Sequence, residues 1–182
     1  MIARRDHEAI LACVAALYEC DDLEAYSRAV IAEVPRLVGA DHPTFNYVAP
    51  SVPKVAVVTP ADGPNHGVQQ EVFAQYLGDH PVLRHFLATG DPGAYKFSDF
   101  HSVRSYHALP LYTHLYRELG YEDQLAFMLF PPGAEMVAVA LSRDRRNFTE
   151  RDRQVLNLAR PYVARAYRHV ERVAPRHAQG AT

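Results

Sequence analysis

The chain has 182 residues, 48% of them hydrophobic and 22% charged, with a net charge of −2. That length supports one domain with a real core and not two, and the balance of apolar to charged residues excludes a disordered chain. Two cysteines in a chain of this size exclude a disulfide framework.

Residues 6–20 place Ile10, Val14 and Leu17 on one helical face, with Leu11 and Tyr18 beside it. Cys13 and Cys20 stand two turns apart on this helix, roughly 10 Å, too far to bond to each other. Asp22 reads as the N-cap of a second helix, in which Leu23, Tyr26, Val30, Val34 and Leu37 recur at threes and fours. Pro35 predicts a kink or an early end, and Gly39 a stop. At His42 the period changes. Phe45, Tyr47 and Ala49 point one way and Asn46 and Val48 the other, and a β-branched run follows at 54–59. Bracketed by Pro50 and Pro53, the two read as a hairpin.

Residues 59–67 have loop composition. Helices are predicted over 68–77 and 81–87, a short strand over 95–100, and an Asp99-capped turn of helix through Tyr106. Pro110 suits the first turn of a further helix, which Gly120 ends. Residues 122–130 and 135–143, separated by Pro131, Pro132 and Gly133, form the strongest hairpin. Thr149 opens the last helix with Asp152 three positions on, a relative of the capping box. Val155, Leu158, Ala159, Tyr162, Val163, Ala166 and Val170 form its apolar stripe, and Pro161 predicts a kink. Residues 174–182 read as a flexible tail, so a single domain is expected over 1–173. Segregated hairpins with flanking helices define an α+β class.

The charge is uneven: residues 1–142 carry 9 basic and 17 acidic side chains, residues 143–182 carry 10 and 4. The basic end is read as a docking face of the last helix. No apolar run reaches the roughly 18–20 residues that cross a bilayer, and the chain is expected in the cytoplasm with no membrane partner. Glycine-rich phosphate loops, GxSxG, HExxH and CxxC are all absent from the sequence. The ten histidines lack metal-ligand spacing, so no metal or cofactor is expected. Cys13 lies among apolar neighbours that disfavour a thiolate, and no catalytic residue is assigned.

The informative stretch is 73–128, dense in aromatic rings with a few polar tips, the composition of a small-molecule pocket as well as of a core. Tyr47, Phe73, Tyr76, His85, Tyr106, His107, Tyr112, Tyr116, Gln124 and Phe127 are the candidate ligand-binding residues.

Ser98-Asp99-Phe100, Leu111-Tyr112, Tyr116, Leu119-Gly120 and Gln124 form a spaced pattern. With Leu141-Ser142-Arg143, Phe148 to Asp152 and Leu158 to Pro161, it resembles the GAF-like sensor domain found upstream of the helix-turn-helix in LuxR-type bacterial regulators. The resemblance covers about residues 80–170. It implies a central antiparallel sheet with helices on one side and a ligand pocket on the other, and a homodimer paired through the terminal helices. The sequence departs from the pattern in two places. Only 12 residues follow Val170, too few for a helix-turn-helix, so direct DNA binding is not expected. The acyl-homoserine-lactone sensors of such regulators rely on tryptophan, and this chain has none. Three functions stay open, in this order: a small-molecule sensor tied to transcriptional regulation, a ligand-free interaction module, and a small enzyme using His85 or His107 with Tyr112 as acid and base.

Overall fold

A computed structural model describes residues 2–49, 54–60, 66–133 and 136–173. The expected turn at 50–53, most of the loop at 59–67 and the tail at 174–182 lie outside these residues.

Helix α1 (Arg4–Tyr18) buries Asp6, Ile10, Cys13 and Leu17, while Leu11 is 69% exposed. Helix α2 (Leu23–Glu33) starts where Asp22 accepts the Ala25 N–H at 2.7 Å. Pro35 ends it early: Val34–Leu37 tighten into a 3₁₀ turn, and Gly39 takes a left-handed φ of 69°. Strands β1 (His42–Ala49) and β2 (Lys54–Val58) pair antiparallel. Helices α3 (His66–Tyr76) and α4 (Pro81–Thr89) follow, the second capped by the His80 ring.

The expected strand over 95–100 shrinks to β3 (Tyr95–Lys96), because Asp99 Oδ2 accepts the Lys96 N–H and curls Phe97–Asp99 into a 3₁₀ turn. Asp99 therefore caps no helix. Ser102 does, for α5 (Val103–His107). Tyr112–Tyr116 form a π-helical turn that runs into α6 (Arg117–Leu119), which Gly120 ends at φ 71°. Strands β4 (Asp123–Met128) and β5 (Met136–Arg143) make the second hairpin. Helix α7 (Glu150–Val173) runs continuously through Pro161. At its start Thr149 and Asp152 exchange bonds of 2.9 and 3.2 Å, the reciprocal cap.

The sheet order is β2-β1-β5-β4-β3, with antiparallel pairs throughout. The fold is α+β and GAF-like. One sheet face is covered by α1, α2 and α7, whose apolar stripes pack on Phe45, Leu125, Phe127, Val137, Val139 and Leu141. Tyr26 anchors this layer, donating its hydroxyl to the Val163 carbonyl at 2.7 Å. Tyr162 departs from the expected α7 stripe and stands 44% exposed, while Tyr167 takes a buried place. A chain of charges ties α1 to α7: Arg151 bonds the buried Asp6 and reaches Asp152 at 3.3 Å.

Candidate functional site

Strand alternation sends the next residues to the opposite face. Thr44 and Asn46 of β1, Gln124, Ala126 and Met128 of β4, and Met136, Ala138, Ala140 and Ser142 of β5 all point there. Three of these nine are alanine, which leaves space above the strands. Helix α3, the π-helical turn and α4 cover this face. A cavity remains beneath them, with room for the centres of water-sized spheres over about 60 Å³. A single water needs about 15 Å³ by that measure, so the space is several waters in size.

Its floor is Thr44, Asn46, Gln124 and Ala140, and its cover includes Phe73, Leu115, Tyr116, Leu119 and Tyr121. Val57, Thr59, Gln69 and Gln70 close one end, where Gln70 Nε2 donates to the Val57 carbonyl at 3.3 Å. A smaller apolar chamber of about 30 Å³ adjoins it, lined by Leu77, Leu83, Ala126, Met128, Met136 and Ala138. Asn46, Phe73, His80 and Ala140 border both. The π-helical turn matters here. Its wider winding brings the consecutive residues Leu115 and Tyr116 to the same side, and the Tyr121 N–H closes back on the Tyr116 carbonyl at 2.9 Å.

A buried polar chain runs along the wall. His80 Nδ1 accepts the Leu83 N–H at 3.2 Å, which puts the ring proton on Nε2. Nε2 then donates to Gln124 Oε1 at 2.8 Å, and Gln124 Nε2 donates to Ser142 Oγ at 2.9 Å. Burial pushes the His80 imidazole down to about 4, so this ring is neutral at physiological pH. Burial also raises the Tyr116 phenol, against a hydrogen bond from Gln124. No Asp, Glu, Lys or Arg lines either chamber among the described residues.

Of the ten sequence candidates, Phe73, Tyr116 and Gln124 line the cavity. The other seven stand elsewhere. Phe127 and Tyr47 lie on the opposite, helix-covered face, one register step from Ala126 and Asn46. Tyr106 is fully buried, its hydroxyl donating to the Tyr121 carbonyl at 2.8 Å. Tyr76 is half-buried outside the cavity and stacks on His114, with ring centroids 4.8 Å apart. His85 sits between Tyr95 at 4.3 Å and Phe100 at 5.2 Å and lines neither chamber.

His107 and Tyr112 converge on Glu122: His107 Nε2 and the Tyr112 hydroxyl each lie 2.7 Å from one carboxylate oxygen, and the two rings stack at 4.2 Å. Burial opposes ionisation of Glu122, yet the Tyr112 and His107 hydrogen bonds hold its carboxyl below the usual range. Burial and the bond to Glu122 push the Tyr112 phenol up to about 12. None of the three lines the cavity. Cys13 is buried, and that burial pushes its thiol up to about 12.

Sequence reasoning passed over Thr44, Asn46, His80, Leu115, Tyr121 and Ala140. A signal existed for four of them. Thr44, Asn46 and Ala140 share a parity with Gln124 through the strand pairing, and His80 directly precedes a helix-initiating proline.

An antiparallel sheet with paired terminal helices on one face and a covered cavity on the other is a GAF-like fold. No protein-family profile and no curated protein matches this sequence. Solved structures do match its fold. The LBD domain of VqsR from Pseudomonas aeruginosa superposes with a TM-score of 0.65 at 14% identity, covering 94% of this chain and 99% of that one. The N-acylhomoserine-lactone-dependent LuxR-family transcription factor CepR2 from Burkholderia cenocepacia gives 0.63 at 13% identity, covering 93% and 98%. The phycoerythrobilin-bound GAF domain of a cyanobacterial phytochrome gives 0.61 at 14%, covering 93% and 98%.

Proposed function

We propose that this chain is a small-molecule-sensing regulatory domain of the kind attached to bacterial transcriptional regulators. The observation that carries the reading is the cavity between the sheet and α3, floored by small residues and walled by a neutral, saturated polar chain. A side of a sheet that folding alone shaped would be packed by large apolar side chains, as the centre of the helix-covered side is by Leu125, Phe127, Val139 and Leu141. The likeness to the VqsR and CepR2 structures supports the same role. The Glu122 cluster gives the enzyme reading little support, since its groups converge outside the cavity and His107 is 37% exposed. A ligand-free interaction module leaves the cavity without a purpose.

The domain is a single unit over residues 1–173 and acts in the cytoplasm. No helix among the described residues is long and apolar enough to cross a membrane. It pairs as a homodimer through α1 and α7, whose outer surfaces keep Leu11 and Tyr162 in solvent. Native mass spectrometry of the purified protein, with a thermal-shift screen of metabolites, tests the sensing role. A co-purifying small molecule, or a raised melting temperature with one chemical class, is expected. No shift with any class, and no bound mass, would remove it. Light scattering of wild type and Leu11→Glu tests the pairing, with a dimer that the charge converts to monomer as the expected result.

A further inference from the structure

We infer that Asn46 selects the ligand class: a small, uncharged molecule with an N–H donor and a C=O acceptor side by side, as in a lactam, a cyclic imide or a primary amide. The inference rests on the sensing role proposed above and deepens it.

Asn46 is only 7% exposed and borders both chambers. Its Nδ2 donates once, to Thr44 Oγ1 at 2.9 Å, and no other hydrogen bond engages the amide among the described residues. A carboxamide has two N–H donors and a two-lone-pair oxygen. One N–H and the carbonyl oxygen therefore remain on neighbouring atoms. Exchanging the two ends of the amide still leaves a donor beside an acceptor. Those free atoms are not among the sealed, unpartnered polar atoms of the described residues, so they open onto the cavity that Asn46 lines, where a guest can supply the complementary pair in place of water.

The strand register leaves room for that guest. Asn46 faces Ala138, and Thr44 faces Ala140, so no large side chain stands over the amide from β5. The buried His80 and Gln124 do not compete for this role. His80 and Gln124 bond each other, and their remaining ends are taken by Leu83 and Ser142. They form wall, and Asn46 is the buried carboxamide that keeps a free donor beside a free acceptor.

Charge settles the rest of the ligand's character. Among the described residues neither chamber has a charged lining residue, so a carboxylate, phosphate or ammonium would lose its hydration with no counter-charge from them in return. A cis-amide ring meets the Asn46 amide with two parallel hydrogen bonds. An ester ring of the same shape can only accept, and leaves the Asn46 carbonyl oxygen without a partner.

The test uses a matched pair, δ-valerolactam and δ-valerolactone, with cyclohexanone as a shape control. Affinities for the 182-residue protein are read by NMR titration, and folding is checked by circular dichroism. Wild type is expected to bind the lactam roughly tenfold or more tightly than the lactone, with that ratio near one in Asn46→Leu. Asn46→Thr, which suits a strand and keeps one hydroxyl, serves if the leucine variant fails to fold, and its ratio should also fall. Equal binding of both rings by wild type, or an unchanged ratio in the variants, would overturn the role of Asn46 and leave the sensing role standing. If none of the three rings binds at millimolar concentration, the assignment of Asn46 to this ligand class falls, while the sensing role is decided separately by the bound mass and the metabolite screen.

Discussion

On one face of the sheet, Phe45, Leu125, Phe127, Val137, Val139 and Leu141 pack against three helices, and the hollow beside Phe45 at the edge, lined by Leu23, Glu24, Ser27, Tyr47, Val58, Tyr167 and Glu171, is an open groove. On the other face, the residues next in sequence are Thr44, Asn46, Gln124, Ala126, Ala138 and Ala140, and the helices above them stand over a cavity. The backbone is shared, so the difference lies wholly in side-chain volume and polarity. A filled face buries apolar area and stabilises the fold. A face of small and polar residues forgoes some of that burial and holds space for a guest. The price in stability is plausible only if the space is used.

Four measurements would break or sharpen this contrast. The largest effect belongs to the filled face. Phe127→Ala should cost about 3–5 kcal/mol in urea denaturation, because its neighbours cannot collapse into the void. A loss below about 1 kcal/mol would mean that the helix-covered face is loosely packed too.

The second concerns acid. Folded His80 titrates near 4 against 6.5 for the unfolded ring, so the unfolded chain binds more protons between those values. Its contribution is present in full above pH 6.5, declines as pH falls, and is spent below pH 4. The loss is on the order of 3 kcal/mol. His80→Gln should flatten stability against pH in that window, and an unchanged slope would show that the ring is not held neutral.

The third fills the cavity. Ala140→Leu should change stability by less than about 1 kcal/mol, since the added methylenes enter existing space rather than a packed core. It should also abolish any ligand-induced rise in melting temperature. A strongly destabilised variant would show that the space is smaller in solution.

The fourth lies outside both faces and is the smallest. Glu122→Gln removes the charge that Tyr112 donates to, so the Tyr112 phenol should move down from about 12 in an ultraviolet titration. Cavity binding should be untouched. Altered binding would tie the Glu122 cluster to the site.

Much of the architecture was legible in the sequence because its signals are local. The Asp22 and Thr149 caps, the proline that ends α2, Gly39 after the 3₁₀ turn that follows α2 and Gly120 at the end of α6 act within a few residues of themselves. The β3 segment was misjudged because Asp99 competes for the Lys96 N–H that a longer strand would have used. The site was legible in part. Gln124 and Phe127 stand three apart on one strand, so they cannot share a face, and naming both as ligand contacts joined opposite sides of the sheet. Tyr47 fails against Asn46 for the same reason. Of the aromatic stretch, Phe73, Tyr116 and Tyr121 border the cavity, while other rings are spent on packing, as with Tyr106.

The sequence by itself determined the element order, the two hairpins, the α+β class and the alternation that sorts each strand into two sets of residues. Those follow from propensity, capping and period, which need only near neighbours. Which set would face the paired terminal helices and which the cavity was decided by the tertiary structure. The strand order β2-β1-β5-β4-β3 brings Asn46 opposite Ala138, 92 positions along the chain, and Gln124 into reach of His80, 44 positions away. Contacts at such separations leave no periodic trace, because they arise only when the whole chain has closed around them.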